Sequence, residues 1–258
     1  MARVSASATV RGERRGTGLG GVVVGTDGSP WGSAALGWAA RHAWLTGREL
    51  VVHQSGAEPS TSDRPLTLHP LPVRVREAGP DPLRTLVPAS EHAALVVLGC
   101  RGQQHRSFGL GRWVLAVVAA AHCDTVVVRG LDEAVHGRYG SVTALIGGVH
   151  TDRGVLARAA AMAAASRSVL RVVHAQPPGA VDGQDPQDVL DRARDLLALH
   201  EPRISVDLVA VPGLPYEAVA ACGRTDLLVV GAGAGGRLGT VTKEALHHAL
   251  CPVLAVHV

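Results

Sequence analysis

The sequence has 258 residues, of which 47% are hydrophobic, and it carries 25 Lys and Arg against 22 Asp and Glu. A chain of this length and apolar content can bury one large core or two of ordinary size, and we expect two domains. The positive excess of three charges lies entirely in residues 1–20. The rest of the chain lacks the excess positive charge of a nucleic-acid groove, so we predict no nucleic-acid partner.

The sequence also argues against membrane insertion and secretion. No run reaches the roughly 18–20 uncharged apolar residues of a membrane span, and residues 1–20 lack the apolar core of a secretory signal. The cysteines at positions 100, 123, 222 and 251 are far apart and form no C-x-x-C pair, which fits a reducing compartment and no zinc site. We therefore predict a cytoplasmic protein with a disordered leader over residues 1–20, no membrane partner and no metal site.

The same order of predicted elements occurs twice along the chain. Residues 21–30, GVVVGTDGSP, predict a buried strand that ends in turn residues, residues 31–47 predict a helix closed by Gly47, and residues 49–55 predict a second strand. The segments that repeat this order are 144–152, 153–168 and 169–176. Gly25 and Gly148 are 123 residues apart, and His53 and His174 are 121 apart, so the offset is nearly constant.

The correspondence continues to the ends of both halves. Residues 72–99 match 204–231, each as a strand, a turn, a helix and an apolar strand, and residues 115–129 match 243–257, each as a helix and a last strand. Alternating strands and helices predict an α/β fold with two doubly wound parallel sheets of five strands in tandem. We place the first domain at 21–132 and the second at 141–258.

The two halves differ after their second strands. Residues 185–203 predict a helix with Asp185 as its N-cap, whereas residues 56–72 are too proline-rich for a full helix. We expect the first sheet to lie partly uncovered on that side, or to be covered by the other half.

Two strand ends in the first half carry candidate binding residues. Asp27 follows the first strand, and Gly99 and Gly102 follow the fourth. In a doubly wound sheet the carboxyl ends of the strands form the ligand crevice, glycines allow backbone amides to approach an anion, and a carboxylate can accept hydrogen bonds from an amino-purine or a ribose. Residues 27–30 are equally consistent with a simple turn capped by Asp.

The runs VVVGTDGSPWGSAALGWAARHAWLTGRELVVH, VVLGCRG and LHHALCPVLAV resemble the universal stress protein family, in its tandem two-domain form common in actinobacteria. The resemblance covers residues 21–258 and implies flavodoxin-like domains that pair through their last strands. In nucleotide-binding members, a loop with the spacing Gly, two residues, Gly, nine residues, Gly and Ser or Thr holds the phosphates of ATP. An aspartate after the first strand contacts the adenosine.

The resemblance assigns nucleotide-binding roles in the first domain to Asp27, Gln54, Gly99, Gly102, Gly111 and Arg112. Eight residues rather than nine precede Gly111, and Arg112 replaces the hydroxyl residue. Arg112 would donate to a phosphate if it points into the crevice, and it would block the site if it points out or pairs with Asp27.

The second domain departs further from the family pattern. His150 is assigned to the aspartate position, Ala234 replaces a glycine, and only four residues separate Ala234 from Gly239. Gly231, Gly239 and Thr240 thus form a degenerate second site that we do not expect to bind ATP.

The sequence favours a non-enzymatic stress-response and regulatory module with at most one ATP site, in the first domain. Mg²⁺ is expected only together with ATP, and a protein partner or self-association is expected as well. The alternative is a protein-interaction scaffold that has lost nucleotide binding. A small-molecule enzyme is a third hypothesis, but no nucleophile–base arrangement is readable, and Cys100 is interpreted as a buried strand-end residue.

Overall fold

A computed structural model describes residues 20–56, 71–102, 109–148, 152–176, 185–200 and 203–257. Within those ranges, none of the helices has the length and apolar content of a membrane span. The predicted leader at residues 1–20 lies outside the described residues except for Gly20.

The first half of the chain alternates strands and helices, and a short helix links it to the second half. Its elements are β1 Val22–Thr26, α1 Pro30–Thr46, β2 Leu50–Gln54, β3 Val73–Glu77, α2 Pro82–Ser90, β4 Leu95–Gly99, α3 Val114–Ala120 and β5 Thr125–Val128, followed by the linking helix α4 Asp132–Val135.

The second half repeats this order with two additions. Its elements are β6 Ser141–Ile146, α5 Asp152–Ser166, β7 Val169–Gln176, α6 Pro186–His200, β8 Val206–Pro212, α7 Ala218–Ala221, β9 Leu227–Gly231, β10 Gly233–Ala234, β11 Arg237–Leu238, α8 Thr240–His248 and β12 Val253–Val256. The additions are helix α6, at a place where residues 57–70 of the first half lie outside the described residues, and the antiparallel pair β10–β11.

The strands of both halves form one sheet of ten strands in the order β3-β2-β1-β4-β5-β12-β9-β6-β7-β8. Within each half the strands of this sheet are parallel, and the first half runs β3-β2-β1-β4-β5, the strand order of a doubly wound, Rossmann-like sheet. The halves join where β5 pairs with β12 in the antiparallel direction. The predicted fold class, including the pairing through the last strands, is confirmed.

Capping residues in the sequence explain where helix α1 begins and ends, and the start of α1 limits the length of the turn that follows β1. The Ser29 side chain caps the helix by accepting a hydrogen bond from the Gly32 amide at 3.0 Å, and Pro30 occupies the first turn. Gly47 ends the helix in the left-handed conformation, with φ at 64°. These signals leave only three residues, 27–29, between β1 and α1.

Two apolar residues of the outermost strand of the first half are exposed. Val73 and Val75 of β3 are 37% and 63% exposed and lie beside Leu50 and Val52 in the sheet. In the second half, helix α6 packs over the corresponding strands β7 and β8. Residues 57–70, which include most of the proline-rich segment, lie outside the described residues.

A buried charge connects the halves at the β5–β12 junction. Asp124, which is 3% exposed, forms an ion pair with Arg158 of α5 and accepts a hydrogen bond from the His257 amide at 2.9 Å. Its partners both belong to the second half, so this side chain binds the two halves across the centre of the sheet.

Candidate functional site

The carboxyl ends of β1, β2 and β4 border a cavity of about 550 Å³ in the first half. That volume lies within the roughly 300–1,000 Å³ of small-molecule sites. The predicted site residues that line it are Asp27, Gly99, Gly102, Gly111 and Arg112. The structure therefore brings together five residues that the sequence placed on two separate segments.

Asp27 lies between the start of α1 and the loop after β4. One of its carboxylate oxygens accepts a hydrogen bond from the Ser29 amide at 3.1 Å. The other lies so close to Gly102 that a Cβ added there would be 2.5 Å from it. Glycine at position 102 is thus required for the carboxylate to occupy its observed place.

The loop after β4 is folded against the first turn of α1 and closed at its base. A Cβ at Gly99 would be 2.4 Å from the Trp31 carbonyl oxygen, so this position accepts no side chain without a backbone shift. The Gly111 amide donates to the Cys100 carbonyl at 2.8 Å. Residues 103–108 lie outside the described residues.

Two arginines line the cavity, and each stacks on a tryptophan. The guanidinium carbon of Arg112 lies 4.6 Å from the ring centroid of Trp113, and that of Arg101 lies 5.6 Å from the ring centroid of Trp31. Sequence reasoning identified Arg112 from the family spacing but missed Arg101, because it occupies an unspecified position between the two loop glycines. The positive charge of Arg101 beside two loop glycines was the sequence feature that could have identified it as a candidate phosphate-binding residue.

Gln54, the predicted backbone contact to adenine, is not among the described residues that line the cavity, and its carbonyl accepts a hydrogen bond from the Ala78 amide at 2.7 Å. Its role as the adenine contact stays a prediction. The neighbouring lining residues of this segment are His53, Ser55 and Gly56. Burial and then the positive charge of Arg76 lower the pKa of His53, which favours its neutral form.

Cys100 occupies the predicted buried position at the end of β4. Its side chain is 4% exposed, and burial raises the pKa of its thiol. A buried thiol with a raised pKa is a poor nucleophile because little thiolate is present at neutral pH.

The second half does not reproduce the Asp27 environment. The sheet register makes Gly147 the counterpart of Asp27, because Val22 beside Leu95 at the start of β4 corresponds to Val142 beside Leu227 at the start of β9. The assignment of His150 to this position is therefore wrong, and His150 itself lies outside the described residues. The error arose because five residues separate β6 from α5 whereas three separate β1 from α1.

At this end of β6, a side-chain carboxylate of the protein accepts hydrogen bonds from two backbone amides. Asp152 accepts hydrogen bonds from the Gly147 amide at 3.1 Å and from the Gly148 amide at 2.6 Å. These donors are therefore already satisfied by the chain itself.

The shortened loop of the second half folds into a hairpin. Gly233 and Ala234 pair with Leu238 and Arg237, and the turn between them has Gly235 and Gly236 at φ values of 60° and 71°. Positive φ at both central residues is the requirement of a type I′ hairpin turn.

The residues of the degenerate second site flank this hairpin. Gly231 ends β9, and its carbonyl accepts the Thr242 hydroxyl at 2.5 Å. Gly239 is the N-cap residue of α8 and Thr240 is its first residue. The loop backbone pairs with itself in the hairpin, whereas in the first half the loop borders the open cavity.

The cavity residues fit an adenine nucleotide better than they fit a metal ion alone. The glycine positions allow close approach to the loop, Asp27 offers a hydrogen-bond acceptor, and the arginines offer phosphate donors. Mg²⁺ is usually held by one or two carboxylates together with substrate phosphates. Asp27 is the single carboxylate among the described lining residues, and within the described parts of the chain no three His, Cys, Asp or Glu residues form a metal-binding group.

The chain is similar to proteins of known family, although no protein-family model matches it. Two curated universal stress proteins from Mycobacterium tuberculosis strains are each 32% identical to it over 205 residues, which covers 77% of this chain and 70% of the relative.

Solved structures show the same fold. A universal stress protein from Archaeoglobus fulgidus has a TM-score of 0.68 at 16% identity and covers 92% of this chain and 96% of its own. A functionally unknown protein from Pseudomonas aeruginosa has a TM-score of 0.63 at 14% identity and covers 93% and 92%.

Proposed function

The chain belongs to the universal stress protein family, and from this premise we propose that it is a cytoplasmic, non-enzymatic stress-response and regulatory protein that binds one ATP in its first half. In this proposal residues 21–132 and 141–258 are two domains with unequal roles. The first binds the nucleotide and the second supports it.

The contact between Asp27 and Gly102 carries the proposal. It joins the end of β1 to the loop after β4 beside an open cavity. The resemblance to nucleotide-binding members of the family assigns both residues to the ATP site. In the second half, Gly147 replaces the aspartate and the loop closes on itself as a hairpin. The two halves therefore differ at the positions that matter for ATP.

The alternative hypothesis is a scaffold without nucleotide binding. It requires the first-half cavity to have no affinity for ATP, although its aspartate and three loop glycines are retained. Nucleotide that co-purifies with the protein at one equivalent per chain would contradict the scaffold hypothesis.

Calorimetric titration of ATP into the full chain tests the proposal, and we expect one site per chain. The Asp27→Ala variant should bind about 10- to 100-fold more weakly, because hydrogen bonds to a charged group contribute roughly 1.5–3 kcal/mol. The Gly102→Ala variant should also bind weakly while it unfolds at nearly the wild-type temperature, since its new Cβ displaces only the tip of Asp27.

Gly37→Ala is the matched control for these variants. Gly37 lies inside α1, and a Cβ there would meet no atom within 4 Å. This variant should bind ATP as the wild type does. Wild-type binding no tighter than that of Asp27→Ala, or binding at two sites per chain, would overturn the proposal.

A further inference from the structure

We propose that the first-half cavity binds the polyphosphate of a nucleoside triphosphate without a divalent cation, with Arg101 and Arg112 as its two phosphate ligands. This inference rests on the proposed ATP site and deepens it. It assigns a binding role to Arg101 and names the chemical form of the ligand.

The two guanidinium groups are held in place by aromatic rings. Arg112 stacks on Trp113 with 4.6 Å from guanidinium carbon to ring centroid, and Arg101 stacks on Trp31 with 5.6 Å. A stacked guanidinium uses its face for the ring and keeps its hydrogen-bond donors in the plane, where they match the oxygens of a phosphate. The contact with a tryptophan ring therefore restrains each guanidinium group near the cavity before a ligand arrives.

The two arginines belong to opposite ends of the same loop. Arg101 lies between Gly99 and Gly102, and Arg112 follows Gly111, whose amide closes the loop on Cys100 at 2.8 Å. Both residues line the cavity. Two arginine residues bring two positive charges to one cavity, which suits a ligand with several linked phosphates better than a monophosphate.

The charged residues that line the cavity favour arginine over a metal ion as the group that neutralises the phosphates. Arg101 and Arg112 are the cationic groups and Asp27 is the single carboxylate among the described lining residues. One oxygen of Asp27 accepts the Ser29 amide, and the other lies against Gly102. One carboxylate is the minimum with which a protein usually holds Mg²⁺ beside substrate phosphates, whereas two arginine residues already line the same cavity.

Substitution of the family's hydroxyl residue fits the same interpretation. A hydroxyl donates one neutral hydrogen bond, whereas a guanidinium at position 112 donates a pair and supplies a positive charge. The arginine thus adds neutralising charge beside the phosphates, where other sites rely on Mg²⁺ to neutralise it.

Titration of ATP into the full chain, once in EDTA and once in excess Mg²⁺ at equal ionic strength, tests the inference. We expect ATP to bind in EDTA at least as tightly as in Mg²⁺, and AMP to bind much more weakly than ATP. Arg101→Gln and Arg112→Gln should each weaken ATP binding about 10- to 100-fold, while AMP binding changes less. Thermal unfolding of each variant establishes that it is folded.

Arg194→Gln is the control variant. Arg194 lies on α6 in the second half, is 57% exposed and pairs with Asp191, so its loss should leave ATP binding unchanged. Binding that is about tenfold or more tighter in Mg²⁺, or wild-type affinity in both arginine variants, overturns the inference while the ATP site stands. No ATP binding under either condition overturns the proposed function as well.

Discussion

His42 is a half-buried histidine whose protonation should govern stability in mild acid. Its ring stacks on Trp38 with a centroid distance of 5.3 Å. Burial is the largest cause that lowers the pKa of His42 from 6.5 to about 4, followed by the positive charges of Arg48 and Arg41, and Arg158 of α5 acts in the same direction. The folded protein therefore holds this side chain neutral at a pH where the unfolded chain protonates it.

The expected result is a loss of stability as the pH falls from 6.5 towards 4. In that window the unfolded chain binds a proton that the folded chain does not, so the contribution is fully present above pH 6.5 and lost below it. The shift corresponds to about 3 kcal/mol in the free energy of unfolding. Urea unfolding of His42→Gln across this range should show a shallower pH dependence than the wild type.

His122→Gln is the control for this measurement, because His122 is 56% exposed and its replacement should leave the slope unchanged. Equal slopes for the wild type and His42→Gln would show that other groups cause the acid sensitivity.

The helices and strands followed from local signals wherever those signals were complete. Ser29, Pro30 and Gly47 mark both ends of α1, and the Asp185 side chain accepts the Gln187 amide at 2.9 Å where the N-cap of α6 was predicted. The β10–β11 hairpin was missed because its strands have two residues each. So short a strand leaves no periodicity to read, and only the Gly235-Gly236 turn indicated it.

The candidate site was predictable in outline and less so in detail. Asp27 and the loop glycines follow from strand ends that a parallel sheet must bring to one edge. Arg101 and the counterpart of Asp27 in the second half depend on packing and register. Two more residues lie between β6 and α5 than between β1 and α1, and comparing the two sequences does not show where the extra residues are inserted. The sheet register identifies Gly147 as the counterpart of Asp27.

The hairpin of the second half should support the ATP site of the first. Strand β11 contacts α3, which begins at the cavity residue Val114, and Leu238 packs partly buried against the apolar core on that face. Leu238→Ala should lower the free energy of unfolding by about 1–2 kcal/mol, less than a fully buried leucine would. We also expect ATP affinity to fall a few-fold, because α3 loses support beside the cavity.

Leu199→Ala is the matched control for the hairpin variant, since Leu199 lies on α6 and is 80% exposed. Unfolding measurements and ATP titrations on both variants separate the two effects. Unchanged ATP affinity in a Leu238→Ala protein that is clearly destabilised would mean that the hairpin contributes to packing alone.

At the scale of the whole molecule, the ten-stranded sheet should unfold as one cooperative unit held at its centre by Asp124. All four residues of β5 and all four of β12 are buried, so separating the halves would expose two apolar strand edges.

Asp124→Asn removes the charge that pairs with Arg158 and should lower the free energy of unfolding by about 3 kcal/mol. This value is at the low end for a buried pair because Arg158 is partly exposed. Asp191→Asn, which breaks the exposed pair with Arg194, should change it by less than about 1 kcal/mol. Urea unfolding should give a single transition for both variants, and equal effects of the two substitutions or two separate transitions in the wild type would contradict this account of the junction.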